Sequence, residues 1–151
     1  MPVAENAPAA APAGTESKPR FCDAARIAVA LSATALPFAR SHSEEAERWL
    51  RVLRVHGVVG NAMQAVGMPE EPFLASPSGV AAEPCQPGSL DAVIAAAALR
   101  CHERGAAAIS TEDLFVGVVA TYGPAFEHAL AIRGTSATEL LAVMAAPRVK
   151  P

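Results

Sequence analysis

Few side chains in this 151-residue sequence are spaced for chemistry, and each candidate group has a plainer use. The four histidines, His42, His56, His102 and His128, have no i, i+4 histidine partner, so none begins the two-ligand helix face that a divalent metal needs. The three cysteines, Cys22, Cys85 and Cys101, stand at wide, unrelated spacings without a C-x-x-C pair. That pattern is neither a disulfide framework nor a zinc site, and it suits a reducing compartment. Cys101 and His102 are neighbours, and adjacent residues on a helix point to different sides, which defeats a nucleophile–base pair. Cys101 reads instead as a small core residue. No GxxxxGK[ST] phosphate loop occurs. These residues predict no enzyme: no catalytic residue, no metal and no cofactor.

Arg48, Arg51 and Arg54, with Trp49 among them, form a local basic face that could hold a phosphate or an acidic partner. Glu44, Glu45 and Glu47 lie within reach along the same helix, which predicts a self-compensated, solvated face. Trp49 is expected in the core. The net charge of −3 disfavours nucleic acid and anionic membranes as partners, since both require a basic excess. No stretch approaches the ~20 apolar residues that cross a bilayer. Met1 to Arg20 is rich in Ala and Pro and lacks the basic and apolar regions of a signal peptide. It reads as a flexible leader, and the protein is expected to be cytoplasmic.

The elements that would position these groups are helices. Apolar residues make up 52% of the chain and aromatics only 5%, so the core must come from Ala, Val, Leu and Ile. Prolines cluster in the first twenty residues and again between Pro69 and Pro87, dividing the chain into a leader (1–20), one segment (21–68), a linker (69–89) and a second segment (90–146). In the second segment Leu90, Val93, Ile94, Ala97, Ala98 and Cys101 follow helical spacing until Gly105. Ser110 reads as an N-cap with Asp113 at the third helical position. Gly123-Pro124 starts a further helix with Phe126, Ala129, Leu130 and Ile132 inward, and Ser136 to Glu139 opens a last one. In the first segment, Ala24, Ile27, Ala28, Leu31 and Ala35 read as a buried stripe ending near Pro37, Ser43 as the cap of a second helix, and Val58 to Val66 as a third. The shared order predicts an all-α fold in which two helical repeats pack as a pseudo-two-fold pair.

This pattern resembles the Clp repeat domain, the amino-terminal domain of Clp-type AAA+ unfoldases. The resemblance rests on the Ala-rich run AVIAAAALRCHERGAAAIS, then Thr111-Glu112-Asp113-Leu114-Phe115, then Ala129 to Gly134, with residues 21–68 as a looser first copy. Asp113 stands where the family has His, and the motor is absent from this chain. The resemblance implies a non-enzymatic, free-standing module that binds peptides or protein segments. Its role would be adaptor, accessory or decoy for a Clp unfoldase–protease system, with the unfoldase, its substrates or its adaptors as partners. It also implies phosphoarginine binding through the Thr-Glu element: Thr111 and Glu112 in one copy, and Glu47, or failing that Glu44, in the other. Alternatively, Thr111 and Glu112 are only first-turn residues that complement the helix dipole. A second function the resemblance allows is sequestering a cyclic peptide antibiotic, because the domain is a target of such compounds in actinobacterial relatives.

Overall fold

The computed structural model describes residues 19–55, 57–72 and 88–146. Residues 1–18 of the expected leader, most of the proline-rich linker, His56 and Cys85 lie outside the described residues. The fold is all-α. Seven helices follow one another among these residues: α1 (Asp23–Ala35), α2 (His42–Arg54), α3 (Gly57–Ala65), α4 (Ser89–Glu103), α5 (Thr111–Tyr122), α6 (Pro124–Ala131) and α7 (Ala137–Ala145). A 3-10 turn, Leu36–Phe38, extends α1, with Pro37 supplying a pre-set φ at its start. One short extended pairing ties the chain before α1 to the loop before α5. There Ile109 N–H donates to Arg20 O and Cys22 N–H donates to Ile109 O, each at 2.8 Å.

Helix α2 is the centre of the molecule. It packs against α1, α3, α5 and α6, so residues 44–53 are all buried, charged ones included. Trp49, Leu50 and Leu53 sit in the core with Met63, Leu114, Phe115, Phe126 and Leu130. The Phe115 and Phe126 rings meet edge to face at 5.7 Å, a favourable quadrupole geometry for an aromatic-poor core. The N-cap of α2 is Ser41, whose hydroxyl accepts from Glu44 N–H at 3.0 Å; Ser43, the expected cap, is the second helical residue. Two stripes also differ from the expected ones. Helix α1 buries Ala25, Ala28, Ser32 and Ala35 and leaves Ile27 46% exposed. In α1 the face with the smallest side chains turns inward, because only such a face lets the helix approach a neighbour that is itself buried all round. Ile132 lies just beyond α6, where the chain unwinds, and is exposed for that reason.

Helices α4 and α5 make the closest pair, and Gly117 permits it. A Cβ there would stand 2.6 Å from the Val93 carbonyl oxygen and 3.3 Å from the Ala97 nitrogen, both backbone atoms of α4. In an unpacked helix Gly→Ala gains about 1 kcal/mol, whereas overpacking a rigid contact costs about 1–3. We therefore expect Gly117→Ala to lower stability by up to about 2 kcal/mol in chemical denaturation, cancelling or reversing the helix-propensity gain.

No single helix among the described residues is long and apolar enough to cross a membrane. Helices α5 and α6 reach that length and composition only together, and they are bent by 112°.

Candidate functional site

The first turn of α5 brings Glu112 and Asp113 together with Arg100 and Arg104 from the end of α4. Ser110 and Asp113 form a complete capping box: Ser110 Oγ accepts from Asp113 N–H at 3.1 Å, and Asp113 Oδ2 accepts from Ser110 N–H at 2.9 Å. The Asp113 side chain is fully buried, and two arginines from the end of α4 close on it. Arg100 Nη1 lies 2.6 Å from Oδ1, and Arg104 donates through Nε (2.9 Å) and Nη2 (2.6 Å). Burial alone would push this carboxyl up. Hydrogen bonds from Arg104, the Ser110 amide and Arg100 outweigh that, holding the pKa at about 2. The position where the resembled family has His is thus a buried anion that clamps α4 to α5.

Thr111 and Glu112 stand beside this clamp but differ in access. Thr111 is 3% exposed, packed against Gly57, where an added Cβ would meet Thr111 Oγ1 at 3.0 Å. Gly57 has φ +90°, a backbone conformation that favours glycine, and an added Cβ would also press on the Thr111 side chain. The Glu112 side chain is 32% exposed, with one oxygen 3.8 Å from Arg100 Nη2. That is a loose ion pair rather than a hydrogen bond. The Thr111 and Glu112 amides, first and second in the helix, have no acceptor among the described residues.

Glu47 lies elsewhere. Counting from the cap Ser41, it is the sixth helical residue, past the turn whose amides are free, while Ser43 occupies the place that Glu112 holds in α5. Glu44 is at the third place, equivalent to Asp113, and its carboxylate pairs with Arg48 and accepts from Arg40 N–H at 3.1 Å. Glu47 Oε1 lies 2.8 Å from Arg51 Nη2 and 3.2 Å from Arg133 Nη2. Glu71, from the chain beyond α3, completes the group at 3.3 Å from Arg51 and 2.9 Å from Arg133. Hydrogen bonding from Arg133 holds the Glu71 carboxyl below its ordinary value against the effect of burial. Burial opposes the charge on Arg133, yet pairing with Glu71 and Glu47 raises its pKa. Arg54 adds a 2.7 Å hydrogen bond to Met68 O, so the 68–72 segment is strapped across α2.

The basic face expected to be solvated is therefore internal. Arg48 is 4% and Arg51 2% exposed, and their i−4 glutamates accompany them into the core. The pairing was visible in the spacing; the burial was not, because Arg51 and Glu47 find Glu71 and Arg133 from positions distant in the chain. Among the described residues no three His, Cys, Asp or Glu side chains gather as a metal site. Cys101 is buried in the core, whereas His102 and His128 are exposed. In comparison with known proteins, no family model matches this chain and no curated sequence is detectably similar to it.

Proposed function

We propose that this chain is a Clp-repeat-like binding module of the cytoplasm. It would have no catalysis of its own and would dock protein segments for a Clp unfoldase–protease system as an adaptor, accessory or decoy. The two helical segments would be degenerate copies of one repeat related by a pseudo-two-fold axis. Supporting this is a correspondence of parts: Ser41 and Ser110 cap α2 and α5 in the same way, each with an acid at the third place. Cross-packing is matched as well, with α2 on α6 and α3 on α5.

The observation that carries the functional reading is the half-exposed Glu112 beside Arg100 and two unbonded amides. A carboxylate there can accept from the guanidinium of a phosphoarginine. The cation and the helix-end amides can receive the phosphoryl group. Thr111 would shape this site from beneath rather than touch the ligand. With Glu47 paired internally, the site would exist once per chain.

A pull-down with the full chain should recover a Clp unfoldase, protease or adaptor component. Glu112→Ala should weaken an arginine-phosphorylated peptide by about tenfold or more. The substitution leaves the Asp113 clamp in place, so stability should change little. Recovery of no Clp component, together with no binding of phosphoarginine or apolar peptides, would overturn the proposal.

A further inference from the structure

The structure assigns a second binding site, for a primary alkylammonium group, to an open cleft between the end of α1 and the start of α4. The inference is independent of the reading given for α5. The cleft encloses about 310 Å³, at the small end of ligand sites. Leu36 and Pro37 form one wall, and Ser89, Leu90 and Asp91 form the other. Glu45 reaches it from α2 and is only 7% exposed.

Glu45 differs from the other buried acids among the described residues. Glu44 has Arg48, Glu47 has Arg51 and Arg133, and Asp113 has Arg100 and Arg104. Among the described residues, no arginine or histidine nitrogen lies within 4.0 Å of the Glu45 carboxylate. The hydrogen-bond donor to the Glu45 carboxylate among the described residues is neutral: Tyr122 donates its hydroxyl to Oε1 at 2.9 Å. Burial, then the charge of Glu45, drives the Tyr122 phenol well above its ordinary pKa, so it stays protonated and donating.

A buried carboxylate with a neutral donor is under-compensated, and a cation entering the cleft supplies what the described residues do not. The chemistry of the cleft narrows that cation. Tyr122 takes one lone-pair site of Oε1 and leaves the others open, and a compact ammonium on a thin stem reaches them through a small cleft with less bulk than a planar guanidinium. The apolar walls accept a short alkyl stem, and Asp91 adds negative potential at the mouth. A calcium ion would take six to eight oxygen ligands, more than the Glu45, Ser89 and Asp91 side chains supply.

The test is a titration of the full chain, followed by amide NMR shifts, with n-butylamine, Nα-acetyl-lysine amide and the uncharged isostere Nα-acetyl-norleucine amide. Both amines should saturate and move the Leu36, Ser89 and Asp91 amides, and the norleucine compound should bind at least about tenfold more weakly. Glu45→Gln keeps an acceptor for Tyr122 and should lose the amines by a similar factor. Equal binding of the norleucine compound, or no saturation by either amine, overturns the proposal on the wild-type protein alone. Undiminished amine binding by Glu45→Gln overturns it as well. An Ala-flanked lysine peptide that binds more tightly than cadaverine marks a protein side chain as the source. The reverse order marks a free polyamine.

Discussion

Arg51→Ala should destabilise the protein by about 3–5 kcal/mol, among the largest single effects available outside the apolar core. The arginine is almost wholly buried and pairs with Glu47 at 2.8 Å and Glu71 at 3.3 Å. Truncation leaves two carboxylates sharing Arg133 and opens a cavity against α2, so loss of charge balance adds to loss of packing. Arg51→Met separates these terms, because it keeps most of the stem and removes only the guanidinium. It should lose a large part of the same stability in urea denaturation. Adding Glu47→Leu should then restore some of the loss, since removing both members of a buried pair is far milder than removing one. A double mutant that is as unstable as the sum of the singles would show that the pair is not coupled.

The second large effect depends on pH and belongs to Asp113. Its folded pKa of about 2 lies below the value near 3.9 expected of an unfolded aspartate. A depressed folded pKa means that the native state holds its proton less tightly than the unfolded chain. The contribution is therefore complete above about pH 4–5 and disappears as the pH falls toward 2. A difference of nearly two pKa units corresponds to about 2–3 kcal/mol. Asp113→Asn should lower stability at neutral pH by about that amount and flatten the acid limb of the stability curve. Glu71, whose pKa is also lowered, adds to the same acid limb, so the quantity to read is the difference between the wild-type and Asp113→Asn curves. That difference should shrink between about pH 5 and pH 2. Parallel curves over this range would mean that the carboxylate is not held by Arg100 and Arg104.

Much of this fold was legible in the order of the residues. Helical spacing, the Ser110 and Ser136 caps, and the breaks at Gly105, Gly123 and Gly134 are local signals. Local hydrogen bonding decides them, and the helices stand where those signals put them. The register of α1 and the burial of α2 were not legible, because both depend on what packs around them. Eleven residues of α2 are buried, five of them Glu or Arg, a composition that belongs on a surface unless partners arrive from elsewhere. Glu71 sits in a stretch that reads as linker, and Arg133 follows a helix end, so neither signals its contact with Arg51. Tyr122, the one tyrosine, was likewise silent about Glu45, 77 residues earlier. At the α5 site the sequence pointed to the pair Thr111 and Glu112. What it could not separate was access: adjacent helical residues face different ways, and only Glu112 retains contact with solvent.

The most direct test of the proposed role is a phosphoarginine titration of the isotopically labelled full chain. Saturable shifts are expected, centred on the Thr111, Glu112 and Asp113 amides and the Arg100 side chain, and they should be lost in Glu112→Ala. Free phosphate and unmodified arginine should each produce far weaker shifts, because each engages only half of the site. Spectra that do not change, or a saturable response confined to residues away from the first turn of α5, would contradict it.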